Sequence, residues 1–288
     1  MKYRIGIGVG AFDVEPRSYA DMVRSIRQLG FDSIWIPEVL TSSGPDVLVA
    51  LGWAAQLDPK LKLGTTMLLP GRNPARLAKS LATLDVLSGG RLLVTFVPGL
   101  MQGPERAAIG VPPAERGPAI ERTLPQLRRW WAGEEVEGIS IAPHPLQQPL
   151  ECWLGGIARA ALVRCGRFGD GWLTAMCTPA EAAAGMQVIN ETAERTGRAI
   201  DPEHFGISIG YSHRPLDDGQ LAAIATRTKG RDVDPSTLMP VGTSALRDRL
   251  QEFMQAGLSK FVVRPTPSER GWREELQELA EAVGDLQT

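Results

Sequence analysis

The sequence predicts an α/β protein built as a (β/α)₈ TIM barrel, a single domain over residues 1–288 with insertions. Eight short apolar runs alternate with segments of helical period from end to end, and such alternation marks parallel strands joined by crossover helices. The length suits a barrel of typically ~250 residues plus insertions. No Gly-x-Gly-x-x-Gly follows the first strand, so the runner-up, an open doubly wound sheet, lacks its usual cofactor signal.

Residues 4–9 read as the first strand, and Ser18 is expected to cap a helix whose Tyr19, Met22, Val23, Ile26 and Leu29 share one face until Gly30 stops it. Residues 33–36 form the second strand, a helix covers about 46–56, and residues 61–66 form the third strand. Asn73 and Pro74 then supply an N-cap and a first-turn proline for a helix carrying Leu77, Leu81, Leu84 and Leu87 up to Gly89. Residues 92–97 are apolar without alternation, as expected of a strand buried on both faces. A Gly- and Pro-rich insertion over 98–118 precedes a helix ending near Trp130 and Trp131. Residues 152–154 and 172–175 are the fifth and sixth strands, with an Ala-rich helix at 158–168 between them. Thr178 and Glu181 make a capping box for the next helix. Residues 205–209 give the seventh strand, a polar region spans 217–236, a helix covers 243–255, and residues 261–263 complete the eight strands.

With 31 basic against 33 acidic residues and no long block of one sign, nothing electrostatic points to nucleic acid or an anionic membrane as partner. No apolar run approaches the ~20 residues needed to span a bilayer, and the start of the chain does not resemble a signal peptide, so a cytoplasmic protein is expected. Cys152, Cys165 and Cys177 form no Cys-x-x-Cys pair, which predicts buried thiols and no metal site. The expected partner is a small-molecule substrate; a homodimer stays open.

A barrel of this class builds its site at the carboxyl ends of the strands. That rule singles out Glu38, then Thr65, Thr66 and Met67, then Pro98 and Gly99, Gly155 and Gly156, and Arg264. Gly155-Gly156 runs directly into a helix, and bare amides at a helix amino terminus suit a phosphate; Arg159 in the first turn would add a cation, though the glycines could equally make only a tight turn. His144, His204 and His213 form no triad. His213 keeps a claim to catalysis because it follows the end of a strand. Paired carboxylates, His-x-x-x-His and a phosphate-binding Lys motif are absent from the sequence, which leaves hydrolase and kinase readings unsupported.

The segment Gly30-Phe31-Asp32-Ser33-Ile34-Trp35-Ile36-Pro37-Glu38 resembles the second-strand region of bacterial luciferase-like oxidoreductases. The similarity continues in order through Leu63-Gly64-Thr65-Thr66, Arg72-Asn73-Pro74, Ser88-Gly89-Gly90-Arg91, Glu115-Arg116-Gly117, Trp153-Leu154-Gly155-Gly156 and Gly169-Asp170-Gly171-Trp172. The chain most resembles the shorter, actinobacterial-type branch that uses the deazaflavin coenzyme F420 rather than FMN. The resemblance implies hydride transfer between a ring at the barrel mouth and a small organic substrate. It also implies that Glu38 lies near the ring, that Thr65, Thr66 and Met67 back it through a cis Thr66–Met67 peptide, and that Gly155, Gly156, Ile157 and Arg159 hold the phosphate. Arg72, Arg106 and Arg159 are the candidates to meet the anionic tail of the deazaflavin. Val39 stands where many relatives have His, and residues 95–100 are bulky where relatives are small. Two alternatives therefore stay in view, an FMN-dependent monooxygenase and a catalytically inactive barrel acting as a binding protein.

Overall fold

Strands rich in Ile, Val and Leu with bare glycines at chosen points can close around large side chains, and this chain does so. A computed structural model describes residues 1–10, 15–100, 103–266 and 271–288. Its strands are β1 (Arg4–Gly8), β2 (Ser33–Pro37), β3 (Lys62–Leu68), β4 (Leu92–Val97), β5 (Cys152–Gly155), β6 (Gly171–Ala175), β7 (Phe205–Tyr211) and β8 (Lys260–Pro265). All pair in parallel with their sequence neighbours, and β1 pairs with β8 to close the barrel.

Alternation along each strand sends one set of residues into the lumen and the other into the shell beneath the helices. Trp35, Leu173 and Val262 fill the lumen with Leu93 and Trp153 against them. A Cβ on Gly64 would lie 2.2 Å from the Trp35 ring, and one on Gly171 would lie 2.5 Å from the Trp153 ring, so these glycines are bare because indoles occupy the space. The other set, including Ile5, Ile7, Ile34, Ile36, Leu63, Met67, Val94 and Phe96, packs into the main core against the helices.

The helices are α1 (Pro16–Gln28), α2 (Val47–Leu57), α3 (Pro74–Ser88), α4 (Gly103–Ala108), α5 (Pro113–Trp131), α6 (Arg159–Phe168), α7 (Pro179–Arg195), α8 (Asp218–Arg227), α9 (Thr243–Gln255) and α10 (Trp272–Val283). The Asn73 cap, the Thr178–Glu181 capping box and the left-handed Gly89 at the end of α3 are as expected. Ser18 is not the cap of α1. Glu15 is, accepting from Arg17 N at 3.1 Å and Ser18 N at 2.7 Å, while Pro16 begins the helix and leaves Ser18 inside it. The insertion is also shorter than its Gly and Pro content suggests, since α5 already runs from Pro113 through Pro118 and Pro125. Its buried face of Ile120, Leu124, Leu127, Trp130 and Trp131 outweighs the hydrogen bonds those prolines cannot donate. Residues 101–102 of that insertion lie outside the described residues.

The cis peptides among the described residues are Ala142–Pro143 and Gln148–Pro149. Thr66–Met67 is trans, contrary to the expectation. Both residues stay in the β3–β4 ladder, pairing with Thr95 and Phe96, and Leu68 continues it against Val97. No helix among the described residues is long and apolar enough to cross a membrane.

Candidate functional site

The carboxyl ends of the strands surround a cavity of about 400 Å³. Pro37 at the end of β2 with Glu38 and Val39 after it, Thr66 and Leu68 of β3, and Val97 at the end of β4 with residues 98–100 after it form one wall. Gly156 and Ile157 after β5, residues 173–176 of β6 and its end, Ser208 of β7 and Arg264 of β8 form the opposite side, with Arg227 and Arg231 reaching in from the α8 region. This size lies in the usual range for a small-molecule site, roughly 300–1,000 Å³.

Glu38 is the acid the sequence singled out, and its side chain is only 8% exposed. Oε2 accepts from Leu68 N at 2.7 Å, while Oε1 accepts from Arg72 Nη2. Arg72 Nε in turn donates to Leu68 O at 3.0 Å. The Glu38–Arg72 pair thereby clamps the end of β3 by holding both the N–H and the C=O of Leu68. It also removes Arg72 from the cations free to meet a cofactor tail.

Strand parity decides the fate of the next three residues. Thr66 follows Gly64 on the lumen face and lines the cavity. Thr65 and Met67 point the other way: both are fully buried, Thr65 Oγ1 donates to Ile36 O at 2.9 Å, and Met67 packs in the core beneath the helices. Their side chains cannot touch a ligand in the cavity.

At β5 the geometry is open. A Cβ on Gly155 would meet Val97 Cγ1 at 2.7 Å, so this glycine lets β4 and β5 approach. Gly156 is exposed at φ +107°, and its carbonyl accepts from Trp172 Nε1 at 2.9 Å. α6 begins directly afterwards with no side-chain cap from Ala158; the Ala161 amide donates to Ala158 O, while the Arg159 and Ala160 amides have no partner among the described residues, and Arg159 is exposed. An uncapped helix start next to a bare, left-handed glycine is a suitable seat for a phosphate.

His213 does not belong to the cavity. It follows β7 on the outer side, where Nε2 lies 2.9 Å and 3.0 Å from the two oxygens of buried Glu275 and Nδ1 lies 3.8 Å from Glu278, both on α10. Tyr211 also donates to Glu275. The imidazole fastens α10 to the end of β7 and does not line the cavity, unlike the expected place for a catalytic His213.

Glu105, Met176, Arg227 and Arg231 of the cavity, together with the buried Arg116, escaped the sequence reading, which did single out Arg264. Glu105 of α4 is 4% exposed and accepts from Leu40 N, Thr41 N and Thr41 Oγ1 at 3.0–3.1 Å, tying α4 to the loop after β2. Arg116, fully buried, donates to the carbonyls of Pro98, Leu100, Arg106 and Val111, which shapes the loop after β4. Met176 holds φ +54° on the rim, a conformation that non-glycine residues adopt uncommonly. Arg231 is paired with Glu181 through two bonds of 3.0 and 2.7 Å. Burial pushes the Arg264 guanidinium down to about 10, and the charge of Arg227 adds to that push. Three free thiols, at Cys152, Cys165 and Cys177, are buried and raised by burial; no group of metal-ligating side chains occurs among the described residues.

The model of one family, described as luciferase-like monooxygenase, matches residues 3–259. The chain belongs to that family. Within its curated members, the F420-dependent glucose-6-phosphate dehydrogenase of Kineococcus radiotolerans is 27% identical over 208 residues, covering 66% of this chain and 59% of its own. The FMNH(2)-dependent dimethylsulfone monooxygenase of Pseudomonas putida is 32% identical over 180 residues, 58% of this chain and 48% of its own. The chain thus spans about half to three fifths of these relatives' length. An F420-dependent secondary alcohol dehydrogenase, solved with an F420–acetone adduct, matches the luciferase-like barrel at a TM-score of 0.82 and 18% identity over 100% of both chains.

Proposed function

We propose that this luciferase-like chain is a deazaflavin (coenzyme F420)-dependent oxidoreductase that transfers a hydride between the cofactor and a small organic substrate. The open cradle at Gly156 and the uncapped start of α6, facing a cavity large enough for a flat ring, support a phosphate-bearing cofactor, and the likeness to the F420-dependent relative favours the deazaflavin. When bound, the deazaflavin supplies the hydride donor or acceptor, a chemistry the side chains here do not contain. The protein's own residues then bind, orient and exclude water. Gly156 and the first-turn amides of α6, with Arg159, hold the phosphate, and Ile157, Leu68 and Thr66 offer the ring a largely apolar wall. Glu38 keeps the end of β3 in place while its remaining lone pairs face the cavity, so it orients the ring or a water and is no nucleophile. Thr66 and Ser208 keep hydroxyls with no hydrogen bond among the described residues, which suits them to a substrate oxygen.

The FMN-dependent monooxygenase is the second reading, supported by the name of the Pseudomonas relative. Both cofactors share a phosphate and a tricyclic ring, so the Gly156 cradle suits either. Titration of the purified protein with each, followed by ring fluorescence, separates them. Deazaflavin should bind tighter than FMN and weaken only modestly between low and physiological salt, because exposed contacts to its anionic tail contribute ~1 kcal/mol or less each. Tighter FMN binding, or oxygen consumption by reduced flavin on the protein in the presence of substrate, would move the assignment to the monooxygenase. Failure of both to bind would leave the binding-protein alternative.

A further inference from the structure

The charges lining the cavity balance on one side and not on the other. Glu38 has Arg72, Glu105 has two backbone amides and a hydroxyl, and Arg231 has Glu181. Among the described residues Arg264 and Arg227 have neither a carboxylate within 4.0 Å nor a hydrogen bond, and Arg264 Nε is buried with no hydrogen-bond partner there. A buried polar group left unpaired is costly, and more so when it is charged. The barrel nevertheless makes room for it. A Cβ on Gly8 of β1 would lie 2.2 Å from Arg264 Cγ and 2.9 Å from Cδ, so β1 is bare where the arginine stem crosses it. The like charge of Arg227, which lines the same cavity, acts on Arg264. Two guanidinium groups that face one cavity without an acid between them are arranged for an anion, since their planar donor forks match the oxygens of carboxylate or phosphate.

We propose that Arg264 and Arg227 form an anion-binding pair that seats a carboxylate or phosphate carried by the substrate. The inference rests on the cofactor reading above, which gives the cofactor's phosphate its own seat at Gly156 and α6. That seat follows β5, three strands around the barrel from β8, so the arginine pair is left for the second reactant.

The full chain, saturated with deazaflavin, is titrated calorimetrically with inorganic phosphate and separately with acetate, for the wild type, Arg264→Met, Arg264→Lys and Arg227→Gln. Cofactor affinity of each is read independently from ring fluorescence. The methionine keeps a stem over Gly8, and the lysine keeps the charge as well, so one of them reports even if the other folds poorly. Phosphate or acetate should bind the wild type and bind Arg264→Met about ten- to a hundredfold more weakly, the range of a lost charged hydrogen bond. Arg227→Gln should lose less, Arg264→Lys should keep part of the binding, and cofactor affinity should stay within about twofold. The tighter of the two probes identifies the anionic group. Equal anion binding by wild type and Arg264→Met, or none by the wild type, overturns the proposal. So does a loss of cofactor affinity in Arg264→Met, which would give the arginines to the cofactor and leave the oxidoreductase reading standing. If the wild type binds no deazaflavin, that reading fails, and the same anion titrations on the cofactor-free chain still decide the role of Arg264.

Discussion

Replacing Arg72 by Met should destabilise the protein by about 2–3 kcal/mol, through an acid stranded at the cavity wall. The Glu38 side chain is 8% exposed and the Arg72 side chain 26% exposed. A hydrogen bond to a charged group contributes ~1.5–3 kcal/mol, and the partial exposure of Arg72 lets water replace some of it, which favours the lower end. Loss of the Arg72 Nε bond to Leu68 O adds about 1 kcal/mol. Glu38→Gln should cost less, about 1 kcal/mol, because the amide oxygen can still accept from Leu68 N while the charge disappears. The two residues form one unit, so the double variant should cost at least about 1 kcal/mol less than the two single changes together. Urea unfolding measures this as a shift in midpoint at constant slope, and Arg72→Met should also melt about 5 °C lower. An unchanged midpoint for Arg72→Met, or single effects that add within about 0.5 kcal/mol, would refute the coupling.

Three further outcomes are expected. Gly64→Ala should destabilise by about 1–3 kcal/mol because the new methyl would press on the Trp35 ring, and Trp35→Leu in the same chain should recover part of that loss; thermal melting that leaves Gly64→Ala unshifted would contradict the lumen packing. Gly156→Val should weaken cofactor binding with little change in melting of the barrel, since φ +107° and a contact of 3.0 Å to Ala161 Cβ leave no relaxed place for a branched side chain; fluorescence titration with unchanged affinity would remove the cradle from the cofactor site. At Asp32 burial alone would raise the carboxyl, but the charges of Lys260 and Lys62 outweigh it and hold it at about 2 against an ordinary 3.8. A depressed folded-state value gives stability that is present above pH 4 and lost as pH falls towards 2, so the wild type should lose about 1 kcal/mol more than Asp32→Asn between pH 6 and pH 3. Parallel urea midpoints for the two proteins across that range would exclude the ion pair as the source.

The alternation of apolar runs and helical stripes was enough to specify the barrel, because strand and helix periods are local properties of the chain. Asn73, Thr178, Glu181 and Gly89 were legible for the same reason, each acting within four residues of itself. The helix at Trp272–Val283 is also local in origin, since Leu276, Leu279 and Val283 repeat at helical spacing. The cavity residues divide differently. Glu38, Thr66, Gly156 and Ile157 could be placed at the barrel mouth from strand ends and resemblance, but parity removed Thr65 and Met67, and parity is fixed only when the register with β2 and β4 is known. That Arg72 is spent on Glu38 across 34 residues, that His213 fastens α10, and that Arg264 faces Arg227 without an acid are facts of tertiary structure. A side chain's charge is written in the sequence. Whether that charge is paired depends on contacts between residues far apart in the chain, and only closure of the barrel brings those residues together.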